Sequence, residues 1–266
     1  LWKEIKLPEG VPTVLQNHRP AGPPLPFEEA GDGFPVLLVP GRLNDSRLWA
    51  PVADMLCKRY RSIRCDIRVE SSNRSAQAAD RSSRLLGLMD WLGIARCHVV
   101  AYGSGWSWAA GLAARAPGRA ASLTVVDPVV PRAEHSPTVQ ENWHLEMLLQ
   151  WLSVSHGSVV RKPEHVTVLA GVVAQQTHAR IAEANEPGLA PALGAPEFPI
   201  LEGICCPVMA LVGQEAGPES KALVASVFGQ TPRFQLAQVS GAVRHSPLEA
   251  PRAVADLLQR FLGTCL

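Results

Sequence analysis

Three side chains able to move protons or attack carbon fall at strand ends or turns: Ser104, Asp127 and His245. A carboxylate and an imidazole can exchange protons near neutral pH, and a hydroxyl beside an imidazole can act as a nucleophile. The stretch that decides between these uses is Val99-Val100-Ala101-Tyr102-Gly103-Ser104-Gly105-Trp106, an apolar run followed by small residues and an Ala/Leu-rich helical segment ending near Arg115. A strand that turns this sharply into a helix pushes one side chain out over the sheet. The bend needs small residues two places before and two places after its tip, because bulky ones collide with the neighbouring elements. With Gly103 at the tip those places hold Ala101 and Gly105; with Ser104 they hold Tyr102 and Trp106, which are too large. The expectation is a glycine at the tip, a covalent route without its attacking atom, and Ser104 contributing a backbone amide. An acid and a base survive where the nucleophile does not.

The elements that must position these groups follow from hydrophobic patterning. Phe34 to Val39 and Ala121 to Val126 are continuous apolar runs, the pattern of strands buried on both faces of a parallel sheet. The second delivers Asp127 to the C-terminal end of its strand, the edge where functional groups of open α/β sheets gather. Tyr60 to Cys65, Pro207 to Val212 and Phe234 to Val239 read as further strands. Helical spacing appears from Leu48 to Leu56, from Asn73 to Leu92, around Glu219 to Val227, and from about Pro251 to Leu262, with Asp45 or Ser46 as an N-cap and Gly93 as a stop. From about Val129 to Pro199 the alternation gives way to helical stretches closed by a Pro/Gly/Ala-rich run.

Composition narrows the partners. The 25 basic and 24 acidic residues are well mixed and leave a formal charge of +1, so no footprint for nucleic acid or an anionic membrane stands out. A small, uncharged molecule is the expected ligand. The six cysteines show neither paired C-x-x-C spacing nor histidines at metal-ligand intervals, which reads as free thiols and no metal. Without a signal-like segment or an apolar run of about 20 residues, the expectation is a cytoplasmic chain.

The alternation of strands and helices, the bend at Gly103, the insertion, and a late His near Glu249-Ala250-Pro251 together resemble an α/β-hydrolase over nearly the whole chain. The resemblance implies a mostly parallel, eight-stranded type of sheet flanked by helices, with core segments at 1–129 and 201–266 and a helical cap at 130–200. It implies that the turn Pro40-Gly41-Arg42-Leu43-Asn44-Asp45 offers the amide of Leu43 to an oxyanion, with Pro40 replacing the usual His and with Arg42 and Asn44 beside the substrate. The acid that usually follows the strand ending in Val212-Gly213 is missing, since Ala216 stands at its place and the adjacent Glu215 points the other way. For the base, an ungapped count from Leu248-Glu249-Ala250-Pro251 reaches Arg244 and a one-residue deletion reaches His245; His245-Ser246-Pro247 matches the His-x-Pro of many relatives and favours His245.

Within the superfamily the chain is similar to the cofactor-free ring-cleaving dioxygenases of 3-hydroxy-4-quinolones. The matches are Gly41 to Arg47, the strand-end Asp127, the Gln214 to Lys221 turn, and Trp151-Leu152. That likeness implies a His245 imidazole oriented by the Asp127 carboxylate, proton abstraction from a flat apolar substrate, O2 as co-substrate, no cofactor, an oxyanion held by the amides of Leu43 and Ser104, and Trp143 and Trp151 stacking from the cap. Three other readings stay open: a degenerate protein that only binds a ligand or partner, a lyase or cyclase, and a hydrolase that uses Ser104 as nucleophile or water activated by His245.

Overall fold

The computed structural model describes residues 23–41, 44–67, 81–128, 201–243 and 245–265. Seven strands form one sheet: β1 (Phe27–Ala30), β2 (Phe34–Val39), β3 (Tyr60–Cys65), β4 (Cys97–Tyr102), β5 (Ala120–Val126), β6 (Val208–Gly213) and β7 (Gln235–Val239). Their spatial order is β1-β3-β2-β4-β5-β6-β7, with only β1 antiparallel to its neighbour. The order doubles back at β2, β3 and β4, which puts the C-terminal ends of β2 and β4 side by side, the switch point where open α/β sheets bind ligands. The described strands number seven where the resemblance implied eight. The 130–200 cap boundary lies outside the described residues.

Side-chain alternation divides the core into two layers. On one face, Leu37, Val39, Val99, Ala101, Leu123 and Val125 pack against helices α2 (Arg81–Trp91), α3 (Trp106–Arg115) and α4 (Pro218–Phe228). On the other, Val36, Leu38, Val100, Tyr102 and Val126 meet α1 (Ala50–Leu56), the single-turn α5 (Ser246–Glu249) and α6 (Pro251–Leu262). Tyr102 therefore belongs to the layer that also receives the C-terminal segment carrying His245. The parity of one strand makes that assignment.

Local signals account for the helix ends near the site. Asp45 accepts the Arg47 amide at 3.0 Å and caps the 3-10 turn Ser46–Trp49 that leads into α1, and Pro51 sits where the missing N–H costs nothing. Helix α6 begins at Pro251 and buries Val254, Ala255, Leu258, Phe261 and Leu262 along one stripe. That stripe presses α5, and with it the loop before α5, onto the sheet. The helix read from Asn73 is described from Arg81 to Trp91 and ends where Gly93 takes φ +66°.

Candidate active site

β4 is fully buried and bonded in parallel to β2 and β5, so its last residue is fixed in space. Tyr102 is still extended at φ −108°, ψ 143°, whereas Gly103 swings to φ +56° and opens a single 3-10 turn, Gly103–Gly105, that runs into α3. The two glycines serve different ends. A Cβ on Gly105 would lie 2.2 Å from the carbonyl oxygen of Pro40, so that place must be glycine for α3 to pass beneath the β2 turn. A Cβ on Gly103 would meet nothing within 4 Å among the described residues, which marks it as the tip of the bend, facing open space.

The β2 turn closes against this bend. A Cβ on Gly41 would stand 3.1 Å from the Tyr102 carbonyl oxygen, 3.2 Å from Asn44 Oδ1 and 3.5 Å from the Ser104 amide nitrogen. Asn44 is held there by its amide bond to the Gly41 carbonyl at 3.0 Å. Ser104 is half-buried in the turn, and its carbonyl accepts the Ser107 hydroxyl at 3.1 Å. Arg42 and Leu43, expected beside the oxyanion, lie outside the described residues, as do Trp143 and Trp151.

His245 stands immediately before α5 and is buried, at 7 % exposure. Its carbonyl accepts the amides of Leu248 and Glu249, and its Nδ1 lies 2.6 Å from the phenolic oxygen of Tyr102. The loop that carries it rests on the end of β6. Gly213 is packed so closely that a Cβ there would lie 2.2 Å from the Val243 carbonyl oxygen, and the Glu215 amide bonds the Ala242 carbonyl. Glu215 itself is exposed in the β6 turn. Arg244 lies outside the described residues.

Asp127 stands at the same edge with φ +44°, a conformation rare for a residue with a side chain. Its carboxylate accepts three hydrogen bonds: from the Gly213 amide at 3.1 Å, the Ser246 hydroxyl at 3.0 Å and the Ser246 amide at 2.8 Å. Burial pushes this carboxyl up to about 7, against the opposite pull of the Ser246 and Gly213 donors. Asp127 thus clamps β5, β6 and the start of α5 together one residue away from the imidazole. The structure brings Gly103, Ser104, Asp127 and His245 to one edge, and places the Tyr102 hydroxyl against the imidazole.

Two members of this arrangement, Tyr102 and Ser246, were missed as site residues from the sequence. Strand parity carried the signal for Tyr102: it shares a face with Val100, the face that the C-terminal helices must cover. Ser246 could have been read as the donor-rich start of a helix facing a strand-end carboxylate.

No family model matches the chain, and no curated protein sequence matches it. Solved structures do. A thermophilic esterase from Thermogutta terrifontis superposes with a TM-score of 0.70 at 23 % identity over 91 % of this chain and 93 % of that one. The fold is that of the α/β-hydrolases. Est816, an N-acyl homoserine lactone degrading enzyme, gives 0.68 at 17 % identity over 89 % and 96 %, and a putative non-heme bromoperoxidase, BpoC, from Mycobacterium tuberculosis H37Rv gives 0.64 at 20 % over 91 % and 96 %. The ring-cleaving dioxygenase expected from short motif matches is overturned by the structural neighbours, which are esterases, hydrolases and a bromoperoxidase. Short motifs misled because many activities share the same turns on one fold.

Among the described residues no helix is long and apolar enough to cross a membrane, and no group of three His, Cys, Asp or Glu side chains is placed to hold a metal ion.

Proposed function

We propose that this α/β-hydrolase-fold chain is a hydrolase of small, apolar carboxylic esters, with water as the attacking group and His245 as its base. The observation that carries the reading is the open tip at Gly103, flanked by the Ser104 amide and preceded by the residue that bonds His245. In this scheme a water occupies the space that a nucleophilic side chain would fill. His245 Nε2 takes a proton from that water as its oxygen bonds to the ester carbonyl carbon, and the Ser104 N–H supports the oxyanion that forms. Collapse breaks the acyl–oxygen bond, and the departing alkoxide recovers the proton from Nε2. Acid and alcohol leave, and the imidazole is neutral again. Asp127 takes no proton in this cycle; it secures the loop.

The test is hydrolysis of p-nitrophenyl acetate by the wild-type chain, His245→Ala and Ser104→Ala. The reading expects turnover that His245→Ala loses and Ser104→Ala retains, because alanine at 104 keeps the amide. Loss in Ser104→Ala with labelling of Ser104 by a fluorophosphonate would move the chemistry to a serine nucleophile. Absence of ester turnover in the wild-type chain would favour a protein that only binds its ligand.

A further inference from the structure

We propose that Tyr102 is a positioning residue for His245, its phenol holding the imidazole at Nδ1; this rests on the hydrolytic reading above. The bond is short, at 2.6 Å, and both partners are buried, Tyr102 at 6 % exposure and His245 at 7 %. Their rings lie 6.1 Å apart between centroids and tilted by 33°, so the contact is made edgewise through the hydroxyl and Nδ1. Tyr102 is itself immobilised. Its backbone closes the β4–β5 ladder opposite Val126, and the Trp49 ring meets its own at 88° and 6.5 Å. Two carboxylates at this corner have bonds of their own: Asp127 accepts from Ser246 and Gly213, and Glu249 Oε2 accepts the Val243 amide.

The pairing has a chemical consequence. For Nε2 to accept a proton, neutral His245 must carry its hydrogen on Nδ1, and that N–H then donates to the Tyr102 oxygen. The Tyr102 hydroxyl can take either role toward Nδ1, and a base at Nε2 requires the form in which it accepts. A phenol is neutral over the working range and supports the imidazolium through a dipole rather than a charge, so it favours the charged ring less than a carboxylate would. The described elements that meet at this corner carry Tyr102 on β4, Asp127 after β5, the paired Asp45 and Arg47 at the turn before α1, and Glu249 on α5. Of these groups, Tyr102 stands within hydrogen-bond distance of His245 Nδ1.

The decisive variant is Tyr102→Phe, which removes one oxygen and keeps the ring. On p-nitrophenyl acetate we expect kcat to fall about tenfold or more with KM within about twofold, as for other groups that orient a reacting ligand. The acid limb of the kcat profile is expected to move to lower pH, because the buried imidazolium loses its acceptor. In ¹⁵N spectra of the wild-type chain, neutral His245 is expected to be protonated at Nδ1. An unchanged kcat and limb, or protonation at Nε2, would overturn the assignment. If the wild-type chain hydrolyses no ester, the hydrolytic reading fails while the ¹⁵N tautomer and its change in Tyr102→Phe still judge the pairing. If Tyr102→Phe does not fold, the wild-type spectrum decides alone.

Discussion

The two ends of β4 carry histidine contacts of opposite character in the same layer of the core. At the N-terminal end, His98 is wholly buried, bonds the Ser122 hydroxyl at 2.8 Å, and meets the rings of Phe34 and Tyr60 edge-on. Burial, with a smaller contribution from Arg96, presses it down to about 4, so it stays neutral and behaves as one more aromatic of the core. At the C-terminal end, Tyr102 reaches His245 beside a backbone that bends through Gly103 and Asp127, both at positive φ. A buried imidazole is therefore not a site by itself. What separates the two ends is irregular backbone at the carboxyl edge, where turns from β2, β5 and β6 converge and, among the described residues, nothing lies within 4 Å of a Cβ on Gly103.

The sharpest way to break this contrast is to remove each imidazole. His245→Ala is expected to lower kcat/KM for p-nitrophenyl acetate by about 10²–10⁴-fold, the usual contribution of a positioned base. His98→Ala is expected to leave kcat/KM within about twofold; a large loss there would erase the distinction between the ends. The two glycines of the bend come next. Gly105→Ala drives a Cβ into the Pro40 carbonyl and is expected to cost about 3 kcal/mol or more in urea unfolding. Gly103→Ala meets no described atom within 4 Å and is expected to cost the conformational penalty of its positive φ, about 1–2 kcal/mol. Equal costs would mean that the tip is not at residue 103.

Stability against pH separates the ends through two opposed titrations. His98 falls from its ordinary 6.5 to about 4 on folding, so the stability it contributes is complete above about 6.5 and is lost as pH drops toward 4, by roughly 3 kcal/mol at most. Asp127 rises from 3.8 to about 7, so its contribution is complete below about 4 and is lost as pH climbs through 7. The two offset each other between pH 4 and 7. In His98→Ala the remaining slope is expected to show stability falling as pH rises, and in Asp127→Asn the reverse; urea midpoints across that range measure both. The smallest effect expected is that of Ser246→Ala, which removes one of three donors to Asp127 and should cost about 1 kcal/mol with turnover changed only a few-fold.

Much of this geometry was legible in the sequence because it obeys local rules. Continuous apolar runs gave β2, β4, β5 and β6, Asp45 marked the start of its turn, and the size of the residues around the bend placed its tip at Gly103. The partner of His245 was not legible in the same way. Residues 102 and 245 are joined only by the tertiary fold, and a strand-end Asp followed by a turn looks the same in sequence whether it accepts from an imidazole or from Ser246 and Gly213. Substrate chemistry was misjudged for a related reason: short matches such as Gly41 to Arg47 and Gln214 to Lys221 record turn geometry, which many activities share on one fold.

The most direct test of the central claim, that hydrolysis runs through water above an unfilled Gly103, is intact-mass spectrometry of the chain quenched during steady turnover of p-nitrophenyl acetate. The account predicts the unmodified mass throughout, and an acyl adduct only in Gly103→Ser, where a hydroxyl is restored at the tip. An acetyl group on Ser104 of the wild-type chain, forming and discharging at the rate of turnover, would contradict it.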